Sequence, residues 1–446
     1  MANTKLTKTF SSDGNRQKYT ISLWVKRGTL GNQFLINTDG GNEETYLRFK
    51  GEDNLQWFEQ NSSAATQANR STNQLFRDVH GWYHIVIARD STLGTANDRL
   101  KLYVNGTLNT SWSENTTPAQ DTNTRWNKNV EHMIGVGGSG SSNYFDGSMS
   151  HIHFCDGYTY AASDFGETDA TTGEWKIKTS PSVSYGTNGF FIFKDSQSIT
   201  DQSGEGNNFT VGAGTLTKTE DNPSNVFATF NPLIGRHSNG NYLQPDWSNG
   251  NLTGTAHGSA WRVLKSTLSA SSGKYYAEFK WVSDSNTRYS YVGVYNEDDY
   301  ANKATGYPYL GDMLDAHCYY SENGNYYTNG GSTSFGNTFS SSGDGIVGVA
   351  MDLDNSKIYF SSNGSWQGSG NPSNGTGGKS LTANKTYTFA VLLYSVGSIV
   401  YSANFGNGYF GTTAVSSAGT NASGNGIFEY DVPTGYTALS TKGLNL

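Results

Sequence analysis

The chain is predicted to be all-β, built as two consecutive jelly-roll β-sandwiches of short antiparallel strands. Three observations predict it. Turn formers are abundant, with 54 Gly in 446 residues beside many Ser, Thr and Asn. Aromatic residues reach 13%, as 28 Tyr, 22 Phe and 10 Trp; such side chains favour pleated strands and exclude disorder. Apolar residues recur at period two, and no segment of ten or more residues carries the i, i+3, i+4, i+7 spacing of a helix. The length exceeds what one compact β-domain takes, so two domains follow.

The first strong strand is Tyr19 to Lys26, with Ile21, Leu23 and Val25 on one face. Short strands follow at Leu47 to Phe49 and Leu55 to Phe58. Trp82 to Arg89 puts Tyr83, Ile85 and Ile87 on one side, and Arg99 to Val104 does the same with Leu100, Leu102 and Val104. Asn105-Gly106 is the dipeptide best suited to a type I′ hairpin turn. Ser150 to Phe154 and Gly189 to Phe193 complete a first domain over residues 1–200. Residues 201–245, rich in turn formers and punctuated by Asn222-Pro223 and Asn231-Pro232, are expected as an ordered linker tethered by Phe227 and Phe230. In the second domain, 246–446, Tyr275, Ala277, Phe279 and Trp281 alternate along one strand, and Ser290 to Tyr295 is another. Gly345 to Leu353 turns at Asp354-Asn355 and returns through Lys357 to Phe360, with Asn363-Gly364 as a second hairpin. Tyr387 to Tyr394 and Ile399 to Phe405 close the list of strands. Evenly spaced strands with turn signals indicate sandwiches.

Composition excludes several functions. The formal net charge is -8 and no Lys/Arg cluster exists, so nothing neutralises a phosphate backbone and no nucleic-acid partner is expected. No apolar run approaches a membrane span. Met1-Ala2-Asn3-Thr4-Lys5-Leu6-Thr7 has no apolar core of a secretory signal. Cys155 and Cys318 lie far apart, which argues for two free thiols. A polar, Tyr/Gly/Asn-rich chain suits an extracellular life, and viral particle proteins reach one without a signal, by lysis of the host.

No catalytic residue is assigned. Carboxylates alternating along a strand, as a glycoside-cleaving pair requires, are missing, and Asp352 and Asp354 flank a turn. His151, His153 and Cys155 fall at i, i+2 and i+4 on one strand, but such neighbours are ~7 Å apart and no fourth ligand is near, so no metal is assigned there. The aromatic residues Tyr307, Tyr309, Tyr319, Tyr320, Tyr326, Tyr327 and Trp366 fall in loop-like segments of the second domain. Their apolar faces and polar tips suit sugars and protein partners alike, and they are the candidate glycan- or partner-binding residues. Trp112 and Trp126 are similar in the first domain.

The first domain resembles the concanavalin A-like family in its laminin-G/pentraxin-type form. The residues that carry this are Ile21 to Gly28, Trp82-Tyr83-His84-Ile85-Val86, Leu102 to Gly106, Tyr144-Phe145-Asp146-Gly147, Phe154-Cys155-Asp156-Gly157, Phe165 to Asp169 and Thr172-Gly173-Glu174-Trp175. The second resembles a SPRY (B30.2-type) domain through Gly345 to Asn355, Lys357 to Gly364, Tyr275 to Phe279 and Val292-Gly293-Val294. SPRY relatives bind partners through loops at one edge. Laminin-G and pentraxin relatives often bind calcium, for which Asp39, Asn42, Asp146 and the run Asn296-Glu297-Asp298-Asp299 offer hard oxygen ligands; no single loop reads as such a site, so no cofactor is assigned and Ca2+ stays open. The pairing of the two domains is similar to that in tailed-bacteriophage particle proteins.

The resemblance implies a non-enzymatic virion surface structural protein, a capsid fibre or decoration or a tail-fibre component, made in the host cytoplasm. Its expected partners are other virion proteins, host-surface glycan and further copies of itself, with many weak contacts multiplied by copy number. No coiled-coil or collagen-like shaft is present, which favours a decoration or short fibre. Two alternatives stay open: a secreted polysaccharide-degrading enzyme, and a purely architectural virion protein with no external ligand.

Overall fold

The computed structural model describes residues 3–194, 198–233, 244–285, 288–298, 315–339 and 345–445. The chain forms two compact units, 1–218 with 222–224, and 219–221 with 225–446. Both are all-β, and the helical turns Ala96–Asp98, Ala162–Asp164, Pro372–Asn374 and Gly443–Asn445 are three residues each. No helix among the described residues is long and apolar enough to cross a membrane.

In the first unit, Lys18–Arg27 pairs with Tyr83–Asp90 on one side and Gly147–Asp156 on the other. Their sheet runs Phe190–Ile192, Gly147–Asp156, Lys18–Arg27, Tyr83–Asp90, Leu100–Val104, Thr107–Leu108. Asn105 and Gly106 have φ of 46° and 80°, the two positive values a type I′ turn needs. The facing sheet runs Trp112–Thr116, Thr66–Leu75, Asn54–Gln60, Glu44–Phe49, Gln33–Asp39, Glu131–Ile134, Lys5–Thr9, Thr210–Ala213. Ile21, Leu23, Ile85 and Ile87 from one sheet share a core with Leu47, Phe49, Leu55 and Trp57 from the other. Thr66–Leu75 escapes a reading by period, because its only buried apolar residue is Ala68. Its place is set by pairing with Asn54–Gln60.

The described residues of the stretch 201–245 are divided between the two units near residues 218–225, and Phe227 and Phe230 tether it as expected. Thr210–Ala213 adds to the first sandwich beside Lys5–Thr9, and Phe209 is in that unit's core. Phe230 belongs to the main core of the second unit, and Phe227 to a smaller one there. Burial of these rings outweighs the local turn-rich composition.

The second unit has one sheet ordered Asp246–Ser248, Thr253–His257, Ser398–Asn404, Lys274–Asp284, Ile346–Asp352, Lys357–Ser362, Ser365–Trp366. The other is ordered Ala260–Ala270, Tyr387–Ser395, Arg288–Asn296, Ala316–Tyr320, Asn325–Thr328, Gly331–Ser334. Tyr275, Ala277, Phe279 and Trp281 point inward with Val292, Val294, Val391 and Leu393. The outer face of the first of these sheets is covered by the chain's own return: Phe428, Val432 and Tyr436 pack over Tyr276 and Tyr359.

Candidate functional site

The sequence-predicted residues do not gather in loops. Tyr307 and Tyr309 lie outside the described residues. Tyr319 and Tyr320 end the strand Ala316–Tyr320, and Tyr326 and Tyr327 lie in Asn325–Thr328. The two strands form a hairpin in which Tyr319 faces Tyr326 and Cys318 faces Tyr327. Successive strand residues point to opposite faces, so each pair is split. Tyr319 is fully buried, 4.8 Å from Phe339 and 5.9 Å from Phe360. Tyr326 joins it in that core. Tyr320 and Tyr327 point the other way. Trp366 is on the opposite sheet, against Tyr276 at 6.3 Å. Core packing therefore claims Tyr319 and Tyr326, and Trp366 sits apart from the tyrosines.

What Tyr320 and Tyr327 meet is an aromatic patch on the outer face of their sheet. Trp261, Tyr289, Tyr291 and Tyr394 complete it. Tyr291 stacks on Tyr320 at 4.3 Å and meets Tyr327 edge-on at 5.2 Å. Trp261 is 5.1 Å from Tyr394, 5.8 Å from Tyr291 and 6.3 Å from Tyr289. Tyr291 and Tyr320 are buried, while Trp261, Tyr289, Tyr327 and Tyr394 are half-exposed. Beneath them lie Val263, Tyr295, Ala316, Cys318, Ala390 and Leu392. The Tyr320 hydroxyl donates to Glu322 Oε2 at 2.7 Å; burial first, and Glu322 with it, push that phenol far above its ordinary range. Trp261, Tyr289, Tyr291 and Tyr394 were missed by sequence reasoning. The signal was present: Val292 and Val294 alternate with Tyr289, Tyr291 and Tyr295, so this strand is apolar on both faces, and only one face can serve the sandwich core.

Elsewhere, several buried or sequence-predicted titratable groups are already engaged. Trp175 Nε1 donates to His84 Nδ1 at 3.0 Å, which leaves Nε2–H to donate to Ser22 Oγ at 2.9 Å. A histidine so protonated cannot take the serine proton, so the pair is no nucleophile and base. Burial holds His84 down at about 3. His153 and Cys155 share the outer face of their strand, where Cys155 packs with Phe165 and the His153 ring lies 5.1 Å from that ring. A bulge between Ser150 and His153, with φ 46° at His151, offsets His151 from the regular spacing, and its ring lies 5.7 Å from Phe191 on the same side. His153 stacks on Phe191 at 3.9 Å. The candidate calcium ligands are dispersed. Asp39 accepts from its own loop at Gly41, and the Asp146 carbonyl accepts from Gly28. Asn42 bonds back to Gly40, Glu297 pairs with Lys265 and Asp298 with Lys385; Asp299 lies outside the described residues. Among the described residues no group of three or more His, Cys, Asp or Glu could hold a metal ion. Glu278 is buried and accepts from Tyr276, Asn404 and the backbone of Glu429 and Tyr430. Burial nevertheless raises its pKa to about 7.

Residues 3–162 match the family model of the concanavalin A-like lectin/glucanases superfamily, laminin-G type. No curated protein sequence matches the chain. Similar solved structures include the SPRY domain of human HERC1, with TM-score 0.26, 16% identity, and coverage of 39% of this chain and 96% of that one. A heptameric SAP-like pentraxin from Limulus polyphemus has TM-score 0.26, 15% identity, and coverage of 34% and 69%. Domain 4 of the extracellular arabinanase AbnA from Geobacillus stearothermophilus, solved with arabinotriose, has TM-score 0.25, 19% identity, and coverage of 33% and 64%.

Proposed function

We propose that this protein binds glycans without cleaving them, through the aromatic face of its second sandwich. The observation that carries the reading is that patch: six rings on five strands, four of them half-exposed. Aromatic rings offer dispersion and C–H contact to sugar rings while their polar tips hydrogen-bond hydroxyls. Rigid sheet strands hold them at low entropic cost. The match of residues 3–162 to a superfamily whose description names lectins supports the same class of ligand.

Within that reading the protein is a structural component of a bacteriophage particle surface, as capsid fibre, decoration or tail fibre. It meets other virion proteins, further copies of itself and host-surface glycan. The support for this placement is the order of the sequence motifs in the two sandwiches. A glycan array probed with the full chain tests the binding: signal that Trp261→Ala weakens is expected, and a blank array sinks it. Gold-labelled antibody on particles from an infected culture tests the placement: label on heads or tails is expected, and label confined to the particle-free supernatant overturns it.

A further inference from the structure

The spacing of the rings and one acidic residue at their rim bear on the size and charge of a ligand; both points rest on the glycan reading of the patch. Trp261 is 5.8 Å from Tyr291, and Tyr291 is 5.2 Å from Tyr327. Those two legs bound the distance between the outer rings along that line. Trp261, Tyr394 and Tyr289 close a triangle with sides of 5.1, 5.8 and 6.3 Å. The rings therefore form a compact island rather than a long row. Its footprint is that of one or two pyranose rings.

At the rim stands Glu322, exposed, with the Tyr320 hydroxyl on its Oε2 at 2.7 Å. Tyr320 is in turn stacked on Tyr291 at the centre of the island. An ionised carboxylate has about four lone-pair sites, so one bond from Tyr320 orients it and leaves capacity for ligand hydroxyls. Lys265, on the same sheet face, is already tied to Glu297 at 2.5 Å.

We infer that Glu322 is the polar anchor of the patch and that the ligand is a neutral saccharide of one or two pyranose units. The sugar packs over the rings and donates a pair of hydroxyls to the carboxylate, bonds strengthened by its charge. Saccharides bearing carboxylates meet like charge at the rim and are rejected.

The test is calorimetric titration of the full chain with gluco-, galacto- and manno-oligosaccharides of one, two and four units and their uronic-acid counterparts. In the series that binds, affinity rises from one unit to two and then stays level to four. The uronic counterpart is at least about tenfold weaker, and Glu322→Ala costs about tenfold against the neutral disaccharide. Glu322→Gln, which keeps the acceptor oxygen and drops the charge, brings the uronic counterpart up toward the neutral one. Affinity that climbs through four units, equal binding of neutral and uronic series, or indifference to Glu322→Ala overturns this inference and leaves the glycan reading standing. No binding anywhere in the panel overturns both.

Discussion

Arg89 and Glu59 form a fully buried fork between the two sheets of the first sandwich. Arg89 Nε meets Glu59 Oε1 at 2.9 Å and Nη2 meets Oε2 at 3.0 Å. Both side chains are wholly excluded from solvent. Trp57 Nε1 also donates to Glu59, and Arg89 donates to the carbonyls of Arg16, Gln17 and Thr122. Every charge is therefore matched within a dry core.

Breaking that fork from one side leaves an uncompensated buried charge. Glu59→Ala or Arg89→Ala is expected to cost about 3–5 kcal/mol, read as a lowered denaturant midpoint of the first sandwich. A double replacement by apolar residues is expected to cost less than either single one. Equal costs for the single and double variants would show that packing rather than charge is at stake.

Acid is expected to weaken the first sandwich selectively. His84 and His132 are buried and held at about 3, chiefly by burial. Both nitrogens of each are engaged as in the neutral ring: Asn127 N–H donates to His132 Nε2, whose Nδ1–H donates to Val130 O. The unfolded chain takes up these protons near pH 6.5 and the folded one does not, so stability is full above about pH 6.5 and lost progressively toward pH 3. The linkage is on the order of 2 kcal/mol per histidine at pH 5. Glu278 has the opposite sign. Its folded pKa is about 7 against an ordinary 4.5, so the folded second sandwich binds the extra proton between those values and loses stability as pH rises through them. Hydrogen exchange followed in peptides of each sandwich at pH 7 and pH 5 checks this. Protection is expected to fall at pH 5 in the first sandwich and to hold in the second; a parallel fall in both would contradict it.

Binding is expected to separate the patch from the other predicted aromatics. Trp261→Ala and Tyr394→Ala each lower glycan affinity about three- to tenfold, the range of one aromatic contact. Trp366→Ala leaves it unchanged, since Trp366 belongs to the opposite sheet. A larger loss from Trp366→Ala than from Trp261→Ala would move the site.

Gly364 sits in the turn of the second hairpin in a backbone conformation that favours glycine. Its φ is 77°, and a Cβ there would stand 2.5 Å from the Tyr430 ring. Gly364→Ala is expected to destabilise the second sandwich by more than about 1 kcal/mol, from the strained backbone and the clash together. Thermal unfolding gives the value, and a neutral result would mean that Tyr430 moves aside freely.

Much of the fold was legible because strand period and turn chemistry are local. Ile21, Leu23 and Val25 announce their shared face by spacing alone, and Asn105-Gly106 and Asn363-Gly364 announce their turns because few other residues accept positive φ. Partnership is not local. Thr66–Leu75 is polar and earns its place by pairing, and Phe209 with Thr210–Ala213 reads as linker until the strand adds beside Lys5–Thr9. The candidate site divides the same way. The sequence by itself determined two all-β sandwiches and a second domain rich in tyrosine. Only the tertiary structure decided which tyrosines face outward, because side chains one residue apart leave a strand on opposite faces. It took Tyr319 and Tyr326 into the core, left Tyr320 and Tyr327 outside, and brought Trp261, Tyr289, Tyr291 and Tyr394 to them from strands far apart in the chain.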